Sequence, residues 1–97
     1  MARVKMSQLL PVVAEYYNVT VQDMMGHSRQ VKYAKPRMVF YWMCRLKLEK
    51  TFPEIGRFMN RDHTTILYGA RRCREQRWLS IEDADELFEK VGKGESQ

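Results

Sequence analysis

Cysteine is scarce: the 97 residues hold two, Cys44 and Cys73. They stand far apart, which excludes a disulfide framework, and with His27 and His63 they match no zinc-finger spacing. Reduced thiols in a cytoplasmic protein are the expectation. Apolar runs are short. The longest, Met38 to Cys44, has seven residues, against about 20 for a membrane-spanning helix. No apolar stretch follows Met1-Ala2-Arg3-Val4-Lys5, so nothing there resembles a signal peptide. Proline and glycine number three and five, too few for a Pro/Gly-rich linker. No repeat or low-complexity block divides the chain, and no segment alternates with period two for long enough to suggest a sheet. The length allows one domain with a modest core.

What the sequence does have is enough apolar material to fold. The apolar fraction is 44% and the aromatic fraction 11%, which excludes a disordered chain. Charge is plentiful and uneven. Residues 1–77 hold 15 Lys/Arg against 6 Asp/Glu, a balance of +9, while residues 78–97 hold 2 against 6, a balance of −4. A basic excess fits a polyanionic partner, most often nucleic acid.

Helical spacing organises nearly the whole chain. Leu9, Leu10, Val13, Tyr16 and Tyr17 predict a helix over 7–17, with Pro11 in its opening turn. Thr20-Val21-Gln22-Asp23 reads as a capped start to a short helix that Gly26 can end. After the polar connector His27-Ser28-Arg29-Gln30, a helix runs from about Val31 to Lys50. Pro36 lies inside it or sets its effective start. Its middle, 38–44, is apolar on every face and predicts the buried axis of the domain. Thr51-Phe52-Pro53-Glu54 opens a helix to Met59. Another runs from Arg61 or Asp62 to about Arg77, with Ile66, Leu67, Ala70 and Cys73 inward. Ser80 opens a last helix to Val91, with Leu87 and Phe88 inward and Gly92 as the stop. The expected fold is all-α with about six helices. Residues 1–6 and 92–97 are expected to be tails around a domain over 7–91.

Two helices of unequal length with a very short connection, within 51–77, form the pattern of a helix-turn-helix. Such turns need a left-handed residue, and Asn60 is the best non-glycine candidate. The second helix opens Asn60-Arg61-Asp62-His63-Thr64-Thr65. Short polar side chains at a helix N-terminus suit base reading in the major groove, and the end itself favours phosphate. Asp62 can accept from a cytosine amino group. Thr64 or Thr65 can set a methyl against a thymine methyl, and His63 can donate to a base acceptor. Arg57 and Arg61 can clamp phosphates alongside.

The run Asn60 to Leu67, following Phe52-Pro53-Glu54-Ile55-Gly56, resembles the signature of the C-terminal DNA-binding domain of DnaA, the bacterial replication initiator. Val13 to Tyr17, Val21 to Met25, Arg29, Ala34-Lys35-Pro36-Arg37 and the acidic closing helix fall in the same order, so the likeness covers about residues 7–91. It implies binding to DnaA boxes, with a consensus near TTATNCACA. It implies base reading by Asp62, His63 and Thr64, phosphate contacts from Thr65, Arg61, Arg37 and Arg45, and close approach of Pro53 to the backbone. It also implies that Arg29 enters the neighbouring minor groove, which suits a basic loop free to reach around the duplex. The chain departs from the pattern in having one residue fewer before Arg61, Asn60 in place of glycine, and Met38 where a polar phosphate contact is frequent.

Nothing matches G-x-x-x-x-G-K-[ST], so no nucleotide site is expected. The expectation is a domain without the ATPase, either a free-standing small protein or an excised domain; as a natural protein it reads as a small regulator of replication or transcription. Double-stranded DNA is its partner, and the replication initiator or RNA polymerase are candidate protein partners. No cofactor, metal, membrane or catalysis is expected, because adjacent helical residues such as Asp62 and His63 point about 100° apart. A protein–protein docking module with weak DNA affinity is the alternative. Arg71, Arg72, Arg74 and Arg77 read either as DNA contacts or as a solvated face pairing with Glu75. Lys32, Lys35 and Lys47 read as contributors to the general field. Cys44 and Cys73 read as small core residues.

Overall fold

Short polar side chains set three of the helix starts. Thr20 Oγ1 accepts from the Asp23 N–H at 2.9 Å, and the Asp23 carboxylate accepts from the Thr20 N–H at 3.1 Å. Thr51 and Glu54 make the same reciprocal pair at 3.2 and 2.8 Å. Ser80 accepts from the Asp83 N–H at 3.0 Å. Each cap occupies N–H groups that a helix start leaves without internal partners, a contribution of about 1 kcal/mol.

A computed structural model describes residues 4–95, with side chains through Val91. It contains α1 (Met6–Tyr16), α2 (Val21–Met25), α3 (Val31–Leu48), α4 (Phe52–Met59), α5 (His63–Gln76) and α6 (Ile81–Glu95). Among the described residues there is no strand, and the fold is all-α as the periodicity implies.

Several helix boundaries differ from the sequence reading. Because α1 begins at Met6, Pro11 lies in its second turn rather than its first. Pro36 lies inside α3 and is buried. That helix stops at Leu48, where Glu49 turns the chain at φ 54°. The last helix does not stop at Gly92 but continues to Glu95. Of the expected tails, residues 1–3 and 96–97 lie outside the described residues.

The core forms around α3, which packs most extensively on α5 and also meets α1, α2 and α4. Val39, Phe40, Met43 and Cys44 have no exposed surface, and Tyr41 is nearly as buried; Met38 and Trp42 are half-buried. The axis is therefore covered on most faces rather than all. Leu9, Val13, Met24, Ile55, Met59, Ile66 and Leu87 close over it. Burying each large apolar side chain contributes about 1.5–3 kcal/mol. Cys44 and Cys73 belong to this core as free thiols. Burial raises the Cys44 thiol well above its ordinary range and pushes Cys73 up to about 12. Both stay protonated and unreactive at neutral pH.

The acidic α6 packs on α1 through Ala84, Leu87 and Val91. Lys47 of α3 pairs with Asp85, so its charge is spent within the domain rather than on the general field. The negative end of the sequence thus covers α1 and leaves the start of α5 to the basic remainder.

Candidate nucleic-acid interface

Three residues, 60–62, join α4 to α5. Asn60 takes the left-handed conformation the turn needs, at φ 57° and ψ 49°. The Arg61 N–H donates to the Gly56 carbonyl at 2.8 Å and folds the chain back onto α4. That closeness explains Gly56. A Cβ there would lie 2.6 Å from the Arg61 carbonyl oxygen and 3.4 Å from the His63 nitrogen. The turn is short because one residue has no side chain and another tolerates positive φ.

The turn presents an exposed polar helix start. Asp62 is the N-cap of α5 by conformation, yet its carboxylate caps no backbone N–H. It accepts instead from the Thr64 hydroxyl, and its other oxygen lies 3.3 Å from His63 Nδ1. The Asp62 side chain is 67% exposed and that of His63 59%. The hydrogen bond from Thr64, with lesser help from His63, holds the Asp62 carboxyl below the usual carboxylate range. It is an anionic acceptor at neutral pH. Of the first N–H groups of α5, that of Thr65 donates to the Asp62 carbonyl at 3.0 Å, while those of His63 and Thr64 have no partner inside the helix and no cap hydrogen bond from Asp62, which leaves them to an outside acceptor.

Six of the expected site residues converge here. A shallow hollow of about 450 Å³ is lined by Pro53, Arg57, Asn60, Arg61, Asp62 and His63, with Gly56 at its floor. Pro53 and Arg57 are exposed on α4, and Thr65 is exposed in the first turn of α5. Thr64 is half-buried. Arg45 lies elsewhere, in a groove with Trp42, Leu46, Phe52, Arg71 and Arg74. It donates to the Lys50 carbonyl at 2.9 Å and its guanidinium sits 4.8 Å from the Phe52 ring centre. Arg29 is exposed in the connector before α3.

Arg37 is the most enclosed of the expected site residues, only 6% exposed, and it lines a hollow with Arg61, Thr65, Tyr68 and Arg72. Its Nε donates to the Met24 carbonyl at 2.8 Å, Nη1 to Ser28 at 2.5 Å and Nη2 to Asp23 at 2.8 Å. Three donors are spent on the end of α2 and the connector. Burial, and then the nearby Arg61 charge, lower its pKa, yet a guanidinium remains charged. Arg61 is also partly committed. It donates to the Met59 carbonyl at 3.0 Å and to the Gly26 carbonyl.

The sequence reading missed these two clamps and the close approach at Gly56. It also passed over Tyr68, which is 62% exposed on α5 and lines a hollow with Arg61, Thr65 and Arg72. Its spacing from Thr64 and Thr65 was the available signal. Pairing of the α5 arginines with Glu75 does not form among the described residues. Arg71 instead lies over Tyr68 at 5.9 Å and Arg72 over Trp78 at 5.8 Å.

A short helix, a tight left-handed turn and a second helix with an exposed polar start define a DNA-binding domain of the helix-turn-helix class. Residues 6–73 match the model of the bacterial DnaA protein helix-turn-helix, and the chain belongs to that family. It is 35% identical over 86 residues to the chromosomal replication initiator protein DnaA of Ruegeria sp. strain TM1040, which covers 88% of this chain and 18% of that protein. It is 40% identical over 74 residues to the DnaA of Jannaschia sp., covering 75% and 16%. With the DnaA of Magnetococcus marinus the identity is 38% over 85 residues, covering 87% and 19%. The chain thus spans less than a fifth of the length of these relatives.

Proposed function

We propose that this domain binds duplex DNA in a sequence-specific manner at sites like the DnaA box. The observation that carries the reading is the start of α5, exposed, polar, uncapped by Asp62 and thrust outward by the Gly56–Asn60 turn. Asp62, His63 and Thr64 read base edges in the major groove. Thr65, Arg57, Arg61 and Arg45 hold phosphates, and Pro53 and Asn60 approach the backbone. Arg29 reaches the adjacent minor groove. The helix-turn-helix supplies recognition and no catalysis. Occupation of such boxes suits a cytoplasmic regulator of replication or transcription.

Binding of variants to a box duplex and to a shuffled duplex tests this. His63→Ala is expected to reduce discrimination between the two more than it reduces affinity for the shuffled one, because a good base contact contributes about 1–3 kcal/mol of selectivity. Arg29→Ala is expected to weaken binding and to relax preference at the A·T end of the site. Equal losses on every sequence would remove both residues from base reading. Capture of a replication or transcription protein that survives nuclease, with no box preference in the parent, would favour the docking-module reading.

A further inference from the structure

A groove of about 340 Å³ runs between α3 and α5. Trp42 and Leu46 of α3 and Leu67 of α5 give it an apolar lining, and Leu46 is 39% exposed. Arg71 and Arg74 line it from α5, and Arg45 closes one end on Phe52. Every polar side chain in the lining is a donor, three guanidinium groups and the Trp42 indole N–H, with no carboxylate or hydroxyl among them. No carboxylate pairs with Arg71 or Arg74 among the described residues. Such a lining suits an occupant that carries carboxylates beside apolar surface. The duplex read by the start of α5 fits it less well. Arg71 and Arg74 lie roughly 13 and 18 Å along the helix from Asp62, at about 1.5 Å per residue, whereas the major groove is about 8.5 Å deep. A row of phosphates also has no use for Leu46 and Leu67.

The chain carries a segment of the complementary chemistry. Ala84, Leu87 and Val91 bury one face of α6, and Glu82, Glu86 and Glu89 stand exposed on the opposite face at helical spacing. None of these three glutamates enters an ion pair among the described residues. Ile81, 54% exposed at the start of the same helix, adds apolar surface. Because α6 packs on α1, its acidic face points away from its own domain and is open to another. We propose that the groove between α3 and α5 takes the acidic face of α6 from a second copy of this chain. The contact is head-to-tail, so each added copy leaves one groove and one acidic helix open. Exposed ion pairs are individually weak, and free association therefore needs concentrated protein and low salt. Two copies on neighbouring sites of one duplex meet at an effective concentration in the millimolar range, where the same contact makes their occupancy cooperative. The association itself needs no DNA and goes beyond the box reading.

Complementation between two defective variants tests the contact. One variant, Arg71→Ala with Arg74→Ala, loses the groove and keeps the acidic helix. The other, Glu82→Gln with Glu86→Gln and Glu89→Gln, loses the acidic helix and keeps the groove. All five side chains are exposed, so both variants should fold, which circular dichroism checks. Sedimentation equilibrium without DNA is run at low salt with protein up to about 1 mM. The average mass of the wild-type protein is expected to rise continuously with concentration and to return to the monomer as salt is added. Each variant alone should associate about 10-fold more weakly. Their equimolar mixture restores one contact, the helix of the first in the groove of the second, and should form a dimer and nothing larger. General stickiness would not reproduce that limit. A wild-type protein that stays monomeric, association retained by either variant, or a mixture that forms no dimer overturns the proposal. So does a salt slope for binding to a single box that falls by about 0.9 for each arginine removed, since that assigns the groove to DNA. Absence of box preference in the dilute wild-type protein refutes the DNA-box reading and leaves the sedimentation result unaffected.

Discussion

Replacing Gly56 by alanine sets two physical effects of opposite sign against each other. In an isolated helix the change is favourable by about 1 kcal/mol, since glycine is a poor helix former. In this fold the new methyl would stand 2.6 Å from the Arg61 carbonyl oxygen, roughly 0.8 Å inside ordinary van der Waals contact. The obstructing atom is backbone, and it belongs to the residue whose own N–H bonds to Gly56 at 2.8 Å. It cannot turn away as a side chain could. Overpacking of this kind costs about 1–3 kcal/mol, so the net change is a destabilisation of up to about 2 kcal/mol. For a domain of this size that lowers Tm by several degrees, at about 4–8 °C per kcal/mol. Relief of the clash must move residues 60–63, so box discrimination should fall as well. Thermal unfolding followed by circular dichroism, with anisotropy on box and shuffled duplexes, measures both. A raised Tm with unchanged discrimination would show that helix propensity prevails and that the turn has slack, which would refute the account of the tight turn.

Asn60 at φ 57° should be replaceable by glycine with little loss, whereas Asn60→Ala should cost about 1–2 kcal/mol in urea unfolding; equal stability of the two would remove the left-handed requirement. Backbone hydrogen bonds from Thr20 and Thr51 hold the Asp23 and Glu54 carboxyls below their ordinary range. A lowered folded-state pKa stabilises above the unfolded value and loses that contribution as pH falls through the folded one. Tm should therefore decline as pH drops below the ordinary carboxylate range of about 4, and Glu54→Gln should flatten part of that decline. A Tm independent of pH between 7 and 3 would contradict the capping assignment. Thr51→Ala removes one cap acceptor and should lower stability by about 1 kcal/mol in the same unfolding assay.

Features written in neighbouring residues were legible in the sequence. Thr20 with Asp23 and Thr51 with Glu54 announce helix starts because cap and capped groups lie three residues apart. Asn60 announces the turn because few residues tolerate its conformation. The polar run from Asp62 to Thr65 announces an exposed helix start because nothing in it can be buried cheaply. Features that depend on chain returning from a distance were not legible. Arg37 looks like any basic residue beside an apolar run, since its acceptors are carbonyls 9 to 14 residues earlier and every residue type carries one. Gly56 reads as an ordinary helical glycine until the Arg61 carbonyl folds against it. Pro11 and Gly92 mislead for a related reason. Each disfavours a helix locally, but packing of α1 and α6 on one another carries the helices through them.

Fluorescence anisotropy on two short duplexes tests the central claim most directly. One duplex carries TTATCCACA, the other the same bases shuffled, and each is titrated with the wild-type domain at a low and a high salt concentration. Affinity for both should fall as salt rises, because phosphate contacts contribute to each. The preference for the box should survive at the higher salt, because base contacts from the start of α5 do not depend on counterion release. Equal binding to both duplexes, lost together as salt is raised, would contradict sequence reading by this helix.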